Sequence, residues 1–310
     1  MSAITFLSGC EANLDLSAVE DSKKNPIARY DHYQAIAKSD KSIVVIGNRG
    51  ALLTSVDQGV SWTRQVLPGD QSISYPTLLD IDICPDNRFI VLDANRKVWI
   101  SDAEGGNWVA KNITTEEEVL DLTCALDGTI WVVGSFTLIM DSHDGGNSWT
   151  DKSIAEDAMF SRIQFIDRQN GVVTGEFGSV YKTTDGGETW KAANMIPNEF
   201  YPMASLFITT EEGWVGGLQG IIFHTNDGGQ NWHRQETGTK APIYNIFDVA
   251  GEIYAIGEQG TLLTLAGNGW RSVEINLGFG YLRGALALSN GKFLVVGGGG
   301  LIRLLDQHKL

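Results

Sequence analysis

Short apolar runs of strand length alternate with Gly, Asn or Asp turns along most of the chain. One unit shows the pattern clearly, because residues 243–249, 252–256, 261–265 and 270–275 are four apolar or β-branched runs separated by turn residues. No stretch of ten or more residues has helical periodicity, apart from a weak one near residues 11–22. The pattern therefore predicts an all-β protein made of four-stranded units.

A polar phrase, [Ser/Thr]-x-Asp-x-Gly-x-x-Trp, recurs between these runs. Its four complete copies end at Trp62, Trp149, Trp190 and Trp232. Degenerate copies end at Trp108 and Trp270, and the six tryptophans are 46, 41, 41, 42 and 38 residues apart. This spacing is typical of the blades of a β-propeller.

A second marker, Gly-x-x-Gly, begins 13 to 15 residues before each tryptophan. Complete copies begin at Gly47, Gly175, Gly217, Gly257 and Gly297. Residues 134–137 keep one glycine, and residues 93–96 keep only the position. Seven markers predict seven blades, each with a tight hairpin between its second and third strands, where positive φ favours glycine.

These patterns predict a seven-bladed β-propeller of four-stranded antiparallel blades over residues 27–310, after an N-terminal tail of residues 1–26. The last unit ends after its third strand, which would leave an open sheet edge. Residues 13–17 alternate in polarity as an edge strand does. We expect this N-terminal strand to pair with the last blade and close the ring.

The composition narrows the class of partner. The chain has 310 residues, of which 43% are hydrophobic, and a net charge of −15. No cluster of Lys and Arg is visible, so nucleic acid is not an expected partner. No apolar run reaches the length of a membrane span. We expect one monomeric domain after the tail.

The N-terminus allows two interpretations. Leu7-Ser-Gly-Cys10 resembles the bacterial lipobox, in which the cysteine becomes lipid-modified. The nine preceding residues lack a basic region and are too short for a signal peptide, so this interpretation requires a start upstream of Met1. It predicts a periplasmic or outer-membrane-tethered lipoprotein, and we favour it because a polar tail follows Cys10. The alternative is a cytoplasmic protein with a chance cysteine.

The other chemical groups give weaker signals. Cys84 and Cys124 lie near the ends of the first strands of neighbouring units. Equivalent positions on adjacent blades are usually too far apart for a disulfide, so we expect two buried thiols. The five histidines have no zinc-ligand spacing, and no nucleotide fingerprint is present. We therefore expect no metal and no cofactor.

Acidic residues fall into two groups. Asp57, Asp144, Asp185 and Asp227 of the polar phrases are expected to form turns at the outer periphery. Asp80, Asp82 and Asp121 lie in first strands, which line the channel of a propeller. These channel acids could form a cluster for a cation or for acid–base chemistry. We favour the alternative, that channel water or neighbouring backbone groups solvate them.

The stretch from Gly175 to Trp190, Gly-Glu-Phe-Gly-Ser-Val-Tyr-Lys-Thr-Thr-Asp-Gly-Gly-Glu-Thr-Trp, joins both markers. It resembles the Asp-box, or BNR, repeat as found in the photosystem II stability/assembly factor family, and the likeness covers residues 27–306. The resemblance implies a non-catalytic scaffold that assists assembly of a membrane complex. The photosynthetic branch of that family carries a basic patch, which is not expected here because Arg49, Arg96, Arg162 and Arg283 are scattered along the chain.

Two functional hypotheses follow. In the first, a protein partner, expected to be a membrane-associated complex, docks on the Gly-x-x-Gly loops. The candidate residues are Arg49, Arg96, Phe136, Glu176, Phe177, Gln219, Glu258 and Gln259. Phe136 and Phe177 occupy matching loop positions and would form either a binding hot spot or local packing. In the second, a glycoside hydrolase uses Asp82 and Asp121, which requires two acids about 5–10 Å apart.

Overall fold

The computed structural model describes residues 25–69, 75–267, 269–278 and 280–310. Cys10 and the strand predicted at 13–17 lie outside these residues, so the lipid anchor and the closing strand remain predictions.

The described residues form 27 strands in seven sheets, numbered here as blades 1 to 7 along the chain. The first strands are β1 (Tyr33–Lys38), β5 (Leu78–Ile83), β9 (Val119–Cys124), β13 (Phe160–Phe165), β17 (Pro202–Phe207), β21 (Ile243–Val249) and β25 (Leu282–Ala287). The second strands are β2 (Ile43–Gly47), β6 (Phe89–Asp93), β10 (Ile130–Gly134), β14 (Gly171–Gly175), β18 (Gly213–Gly217), β22 (Glu252–Gly257) and β26 (Lys292–Gly297). The third strands are β3 (Ala51–Ser55), β7 (Lys97–Ile100), β11 (Ile139–Ser142), β15 (Ser179–Thr183), β19 (Ile222–Thr225), β23 (Leu262–Ala266) and β27 (Ile302–Asp306). The fourth strands are β4 (Thr63–Val66), β8 (Val109–Asn112), β12 (Thr150–Asp151), β16 (Lys191–Ala192), β20 (His233–Gln235) and β24 (Gly269–Ser272).

Each blade is an antiparallel sheet whose strands pair in chain order. This confirms the seven-bladed propeller predicted from the two repeated markers. Blade 7 has three strands within the described residues, and β27 has no outer partner there. Residues that precede β1 already contact this blade, because His32 pairs with Gly298 and the Gly300 amide donates to the Asp31 carbonyl at 2.9 Å.

The hydrophobic core lies between the blades. Seven buried clusters each join two consecutive blades, so the packing runs around the whole ring. Blades 7 and 1 are joined in this way by Leu294 and Val296, which pack with Tyr33, Val45 and Leu53. The ring is therefore closed by side-chain packing whatever covers the edge of β27.

The two glycines of the Gly-x-x-Gly hairpin serve different purposes. Gly50 has φ +67°, the left-handed conformation expected of a hairpin glycine. Gly47 instead has φ −164°, which is extended backbone that any residue can adopt. A Cβ at Gly47 would lie 2.6 Å from the carbonyl oxygen of His32, so the lack of space excludes a side chain. Positive φ thus explains only the second glycine of the marker.

The prediction of two free thiols is wrong. Cys84 and Cys124 form a disulfide, with Cα atoms 5.1 Å apart. Cys84 directly follows β5, and Cys124 is the last residue of β9. First strands converge on the propeller axis, so equivalent positions on neighbouring blades come close enough there for a disulfide. The bridge ties blade 2 to blade 3.

Candidate functional site

The Asp phrases form nearly identical hydrogen-bond networks in the turns between third and fourth strands. In blade 4, the Thr183 hydroxyl donates to Asp185 at 2.7 Å and accepts from the Gly187 amide at 2.8 Å. The Thr189 amide and hydroxyl both donate to Asp185, at 2.9 and 2.6 Å. Asp57, Asp144 and Asp227 receive the corresponding bonds.

These bonds stabilise the ionised carboxylate in all four phrases. Hydrogen bonds from the side chain four residues later, and then from its amide, lower the pKa of each Asp to about 2. In blade 2 the corresponding carboxylate is Asp102, one position earlier in the phrase than in the other blades. It accepts hydrogen bonds from the Gly106 amide and the Asn107 side chain, both at 2.7 Å. The phrase is thus a turn-forming device on the rim of the ring.

The channel is built differently, because each first strand carries a β-bulge near its start. The register of the first two strands shifts by one residue in all seven blades. The bulged residues are Gln34, Leu79, Leu120, Ser161, Met203, Tyr244 and Arg283. A bulge redirects side chains and often lies beside a functional site. No residue type repeats around this ring except leucine.

Asp82 connects blade 2 to blade 3. One oxygen accepts from the Thr123 hydroxyl at 2.8 Å and from the Cys124 amide at 2.9 Å, while the other accepts from its neighbour Ile83 at 2.7 Å. Burial raises the pKa of Asp82 to about 6, although the three hydrogen bonds act to lower it. Its carboxyl group is therefore used in the contact between blades, beside the disulfide.

Asp121 connects blade 3 to blade 4 in the same way. It accepts from the Arg162 guanidinium at 2.7 Å and from the Ile163 amide at 2.8 Å. Burial raises the pKa of Asp121 and the nearby Asp80 acts in the same direction, while Arg162 opposes both. Arg162 also donates to the carbonyl oxygens of Met203 at 2.9 Å and Tyr244 at 3.3 Å, so it joins blades 3 to 6.

A cavity of about 220 Å³ lies where these first strands begin. Its charged lining residues are Asp80, Arg162 and Arg283, and polar lining comes from Gln34, Ser161 and Asn245. Tyr201, Met203, Leu79 and Leu120 supply apolar wall. Each second strand ends beside the start of the first strand of its blade, and the Gly-x-x-Gly marker begins at that end. The channel mouth therefore lies on the face of the ring that bears the Gly-x-x-Gly loops.

The contacts give no support to the glycoside hydrolase alternative. That mechanism needs two carboxyl groups free to meet a sugar on either side of its glycosidic bond. Asp82 and Asp121 point into successive blade interfaces, and Asp121 is only 2% exposed. Of the three channel acids, Asp80 lines the cavity.

The Gly-x-x-Gly face presents residues in an unusual backbone conformation. The third loop position is left-handed in five blades and occupied there by a residue other than glycine. These residues are Arg49, Phe136, Phe177, Gln219 and Gln259, with φ between 53° and 59°. All five are exposed, and a bulky side chain such as Phe is rare in this conformation. The loops therefore hold these side chains outward.

The other three candidates on this face are held by local contacts. Glu176 accepts from the Met159 amide at 3.0 Å, and Glu258 accepts from the Tyr244 hydroxyl at 2.8 Å. Arg96 donates to the Glu116 carbonyl at 2.6 Å. Arg96 occupies the last position of its turn, with φ 60°, where complete markers have glycine. These residues shape the loops more than they project from them.

Sequence reasoning missed the grouping at the channel mouth. Arg162 and Arg283 are 121 positions apart in the chain yet line one cavity, whereas Arg49 and Arg96 remain on separate loops. Tyr201 and Tyr244 were not predicted either. The only sequence signal for this channel site was that polar residues interrupt first strands that are otherwise apolar.

Two negative findings concern only the residues that the structure describes. They contain no group of three or more His, Cys, Asp or Glu side chains arranged to hold a metal ion. They also contain no helix with the length and hydrophobicity needed to cross a bilayer.

Comparison with known sequences supports the resemblance drawn from residues 175–190. The family described as photosynthesis system II assembly factor YCF48 has a sequence model that matches residues 153–245. The photosystem II assembly lipoprotein Ycf48 of Prochlorococcus marinus is 32% identical over 156 residues, which cover 47% of this chain and 45% of that protein. The stability/assembly factor HCF136 of Arabidopsis thaliana is 27% identical over 174 residues, 52% of this chain and 40% of that protein. The matches span less than half the length of these relatives, and they confirm similarity to a photosystem II assembly factor-like family.

Solved structures show the same fold over nearly the whole chain. YCF48 from Cyanidioschyzon merolae has a TM-score of 0.73 at 15% identity, covering 91% of this chain and 97% of that one. YCF48 bound to D1 peptide gives 0.74 at 14% identity, with 90% and 92% covered. Virginiamycin B lyase from Staphylococcus aureus gives 0.75 at 14% identity, with 90% and 95% covered. These likenesses establish the fold alone, and the lyase shows that this fold also supports catalysis.

Proposed function

We propose that this chain is a non-catalytic assembly factor that binds a segment of a membrane-associated protein complex on its Gly-x-x-Gly face. Support comes from similarity to photosystem II assembly factors and from the structure of YCF48 with a D1 peptide. Asp82 and Asp121 are hydrogen-bonded to the neighbouring blade, so their carboxylates are not free to act on a sugar, and this favours a binding function over hydrolysis.

The observation that carries this proposal is the apolar surface of that face. Phe136 and Phe177, on neighbouring blades, are 55% and 51% exposed. Exposed Leu218 lies on the corresponding loop of blade 5, and exposed Met195 follows β16 of blade 4. Clustered exposed apolar side chains mark interaction sites, and aromatic residues are enriched among binding hot spots. We name Phe136, Phe177, Met195 and Leu218 the apolar arc.

We further propose that the protein acts as a monomer at a membrane surface, tethered through Cys10. Curated relatives are named lipoproteins, which supports this location. Mass spectrometry of the protein purified from its host should detect a lipid-modified Cys10, and an unmodified N-terminal peptide would contradict the tether.

The binding proposal is tested by replacing both aromatic residues with asparagine. Asn tolerates the left-handed backbone, so the double variant Phe136→Asn with Phe177→Asn removes the rings without straining the loops. Crosslinking in host membranes followed by mass spectrometry identifies the partner, and a D1 peptide is the first defined probe. We expect recovery of the partner to fall by about fivefold or more, with Tm changed by less than about 2 °C.

A matched control uses Val56→Asn with Val60→Asn. These two residues are also exposed and apolar, but they lie in the Asp phrase of blade 1, at the opposite end of the strands. The control should bind as the parent does. Full binding by the Phe136/Phe177 variant, or a large fall in its Tm, would show that the rings pack locally and would contradict this docking surface.

A further inference from the structure

The channel mouth holds a positive charge without an ion-pair partner among the described residues. Arg283 lines the 220 Å³ cavity, and its guanidinium carbon lies 5.3 Å from the centre of the Tyr244 ring. Within the described residues, no carboxylate oxygen lies within the 4.0 Å of an ion pair, and none of its five N–H groups has an acceptor at hydrogen-bond distance. Its closest described contact is the Tyr244 ring, a cation–π arrangement, while Tyr281 and the Asp80 carboxylate attract it from beyond ion-pair distance.

The contrast with Arg162 in the same cavity is informative. Arg162 forms an ion pair with Asp121 and also donates hydrogen bonds to two backbone carbonyl oxygens. Its role in joining the blades accounts for its burial. Arg283 contacts blade 6 through the ring of Tyr244, but its guanidinium donates no hydrogen bond within the described residues. Its structural role is therefore weaker than that of Arg162 and does not explain why a charge lies there.

Burial is unfavourable for this guanidinium. Desolvation lowers the pKa of Arg283, and the positive charge of Arg162 acts in the same direction. Asp80 opposes this shift from beyond ion-pair distance. A largely desolvated ion without a close counter-ion destabilises a fold, and such groups in clefts mark functional sites. An anion entering the cavity would remove this penalty.

The cavity walls favour one kind of anion. A guanidinium presents a planar fork of donors that matches a carboxylate in a bidentate arrangement. Asp80 on the wall repels any anion, so binding depends on close contact between the anion and Arg283. The walls also include Tyr201 and Met203, which provide apolar contact for the chain that carries the carboxylate. The amides of Gln34 and Asn245 add polar groups that could fix its orientation.

We propose that the cavity binds a single carboxylate of the docked partner, either an acidic side chain or a C-terminal carboxylate, with Arg283 as its anchor. This inference rests on the proposed function, because the cavity opens on the face that bears the apolar arc. The carboxylate enters the channel mouth while apolar residues of the same segment contact the arc.

Three short peptides test the proposal and separate the two sources of the carboxylate. All share an acetylated Gly-Gly-Phe core: one has a free C-terminus, one a C-terminal amide, and one an amide with Glu in place of the second Gly. Binding is followed through NMR of the arginine Nε–Hε groups and by calorimetry. We expect at least one acidic peptide to bind and to shift the Arg283 signal, and the uncharged amide to bind about tenfold more weakly or not at all. Equal binding of all three peptides would overturn the proposal.

Arg283→Met tests the anchor, with Arg271→Met as the control. Arg271 is an exposed arginine on the outer strand of blade 6. Arg283→Met should weaken the acidic peptide by about tenfold or more and leave Tm unchanged or higher, because an unpaired cation is removed. Arg271→Met should leave binding unchanged. Unaltered binding by Arg283→Met would overturn the proposal.

A conservative variant covers the case in which the Met variant does not fold. Arg283→Lys keeps the charge but lacks the planar fork, so binding should weaken by about fivefold. Parent-like binding by the Lys variant would overturn a role for the fork. The two proposals remain distinguishable, because the Phe136/Phe177 variant should still bind the acidic tripeptide. If Arg283→Met has no effect while that variant loses the partner, docking stands without the carboxylate site.

Discussion

The outer rim and the inner channel of this propeller follow opposite rules. On the rim, Asp57, Asp144, Asp185 and Asp227 form the same bonds to the same relative positions. Around the channel, equivalent positions carry residues as different as Gln34, Ser161 and Arg283. Both regions come from one copied unit.

The difference shows where repetition serves folding and where divergence serves binding. A turn must be made in every blade, so its residues stay alike as the unit is copied. The channel mouth is a single shared space, and each blade contributes one part of its surface. The candidate site is therefore found where the repeat is not kept.

The strongest test of this comparison removes a carboxylate from each region. Asp121→Ala leaves Arg162 in the channel without its counter-ion, which should lower the free energy of unfolding by about 3–5 kcal/mol. Asp185→Ala removes an equally well bonded but exposed carboxylate, so its effect should be clearly smaller. Urea unfolding measures both. Equal losses would mean that burial does not distinguish the two regions.

The disulfide provides the second test, because it lies at the channel and not on the rim. Cys84→Ser with Cys124→Ser opens a link between residues 40 positions apart, which should cost about 2–4 kcal/mol. Reduction of the parent by dithiothreitol should lower Tm to a similar extent and leave the double variant unaffected. A reductant-sensitive double variant, or an insensitive parent, would contradict the assigned bridge.

The smallest effect is a difference in pH dependence. Burial raises the pKa of Asp82 to about 6, so the folded protein holds a proton that the unfolded chain has lost, and stability falls as pH rises from about 4 to 6. The rim carboxylates have their pKa lowered to about 2, so their contribution is present above about pH 4 and is lost as pH falls toward 2.

Unfolding curves from pH 2.5 to 7 separate the two contributions. Asp82→Asn should remove the decline between pH 4 and 6, by at most about 3 kcal/mol, whereas Asp185→Asn should reduce only the loss below pH 4. The comparison fails if both variants change the same pH range.

The sequence by itself determined the propeller. Trp62 to Trp270 set the period, and the strands predicted at 243–249 and 252–256 correspond to Ile243–Val249 and Glu252–Gly257. Such features are local, because a turn needs particular residues at fixed neighbouring positions whatever the rest of the chain does. The Gly-x-x-Gly marker placed Phe136 and Phe177 at matching loop positions, but whether their rings are exposed or packed locally was left open by the sequence.

Only the tertiary structure decided which distant residues meet. Curvature of the ring brings Cys84 to Cys124 and sets Arg162 beside Arg283, although spacing in the chain suggested separation. The sequence favoured channel acids that are solvated or bonded to backbone groups, but only the structure shows that Asp82 and Asp121 accept hydrogen bonds from amides of the next blade. The physical reason is that these contacts join different blades, and their distances depend on how all seven pack around one axis.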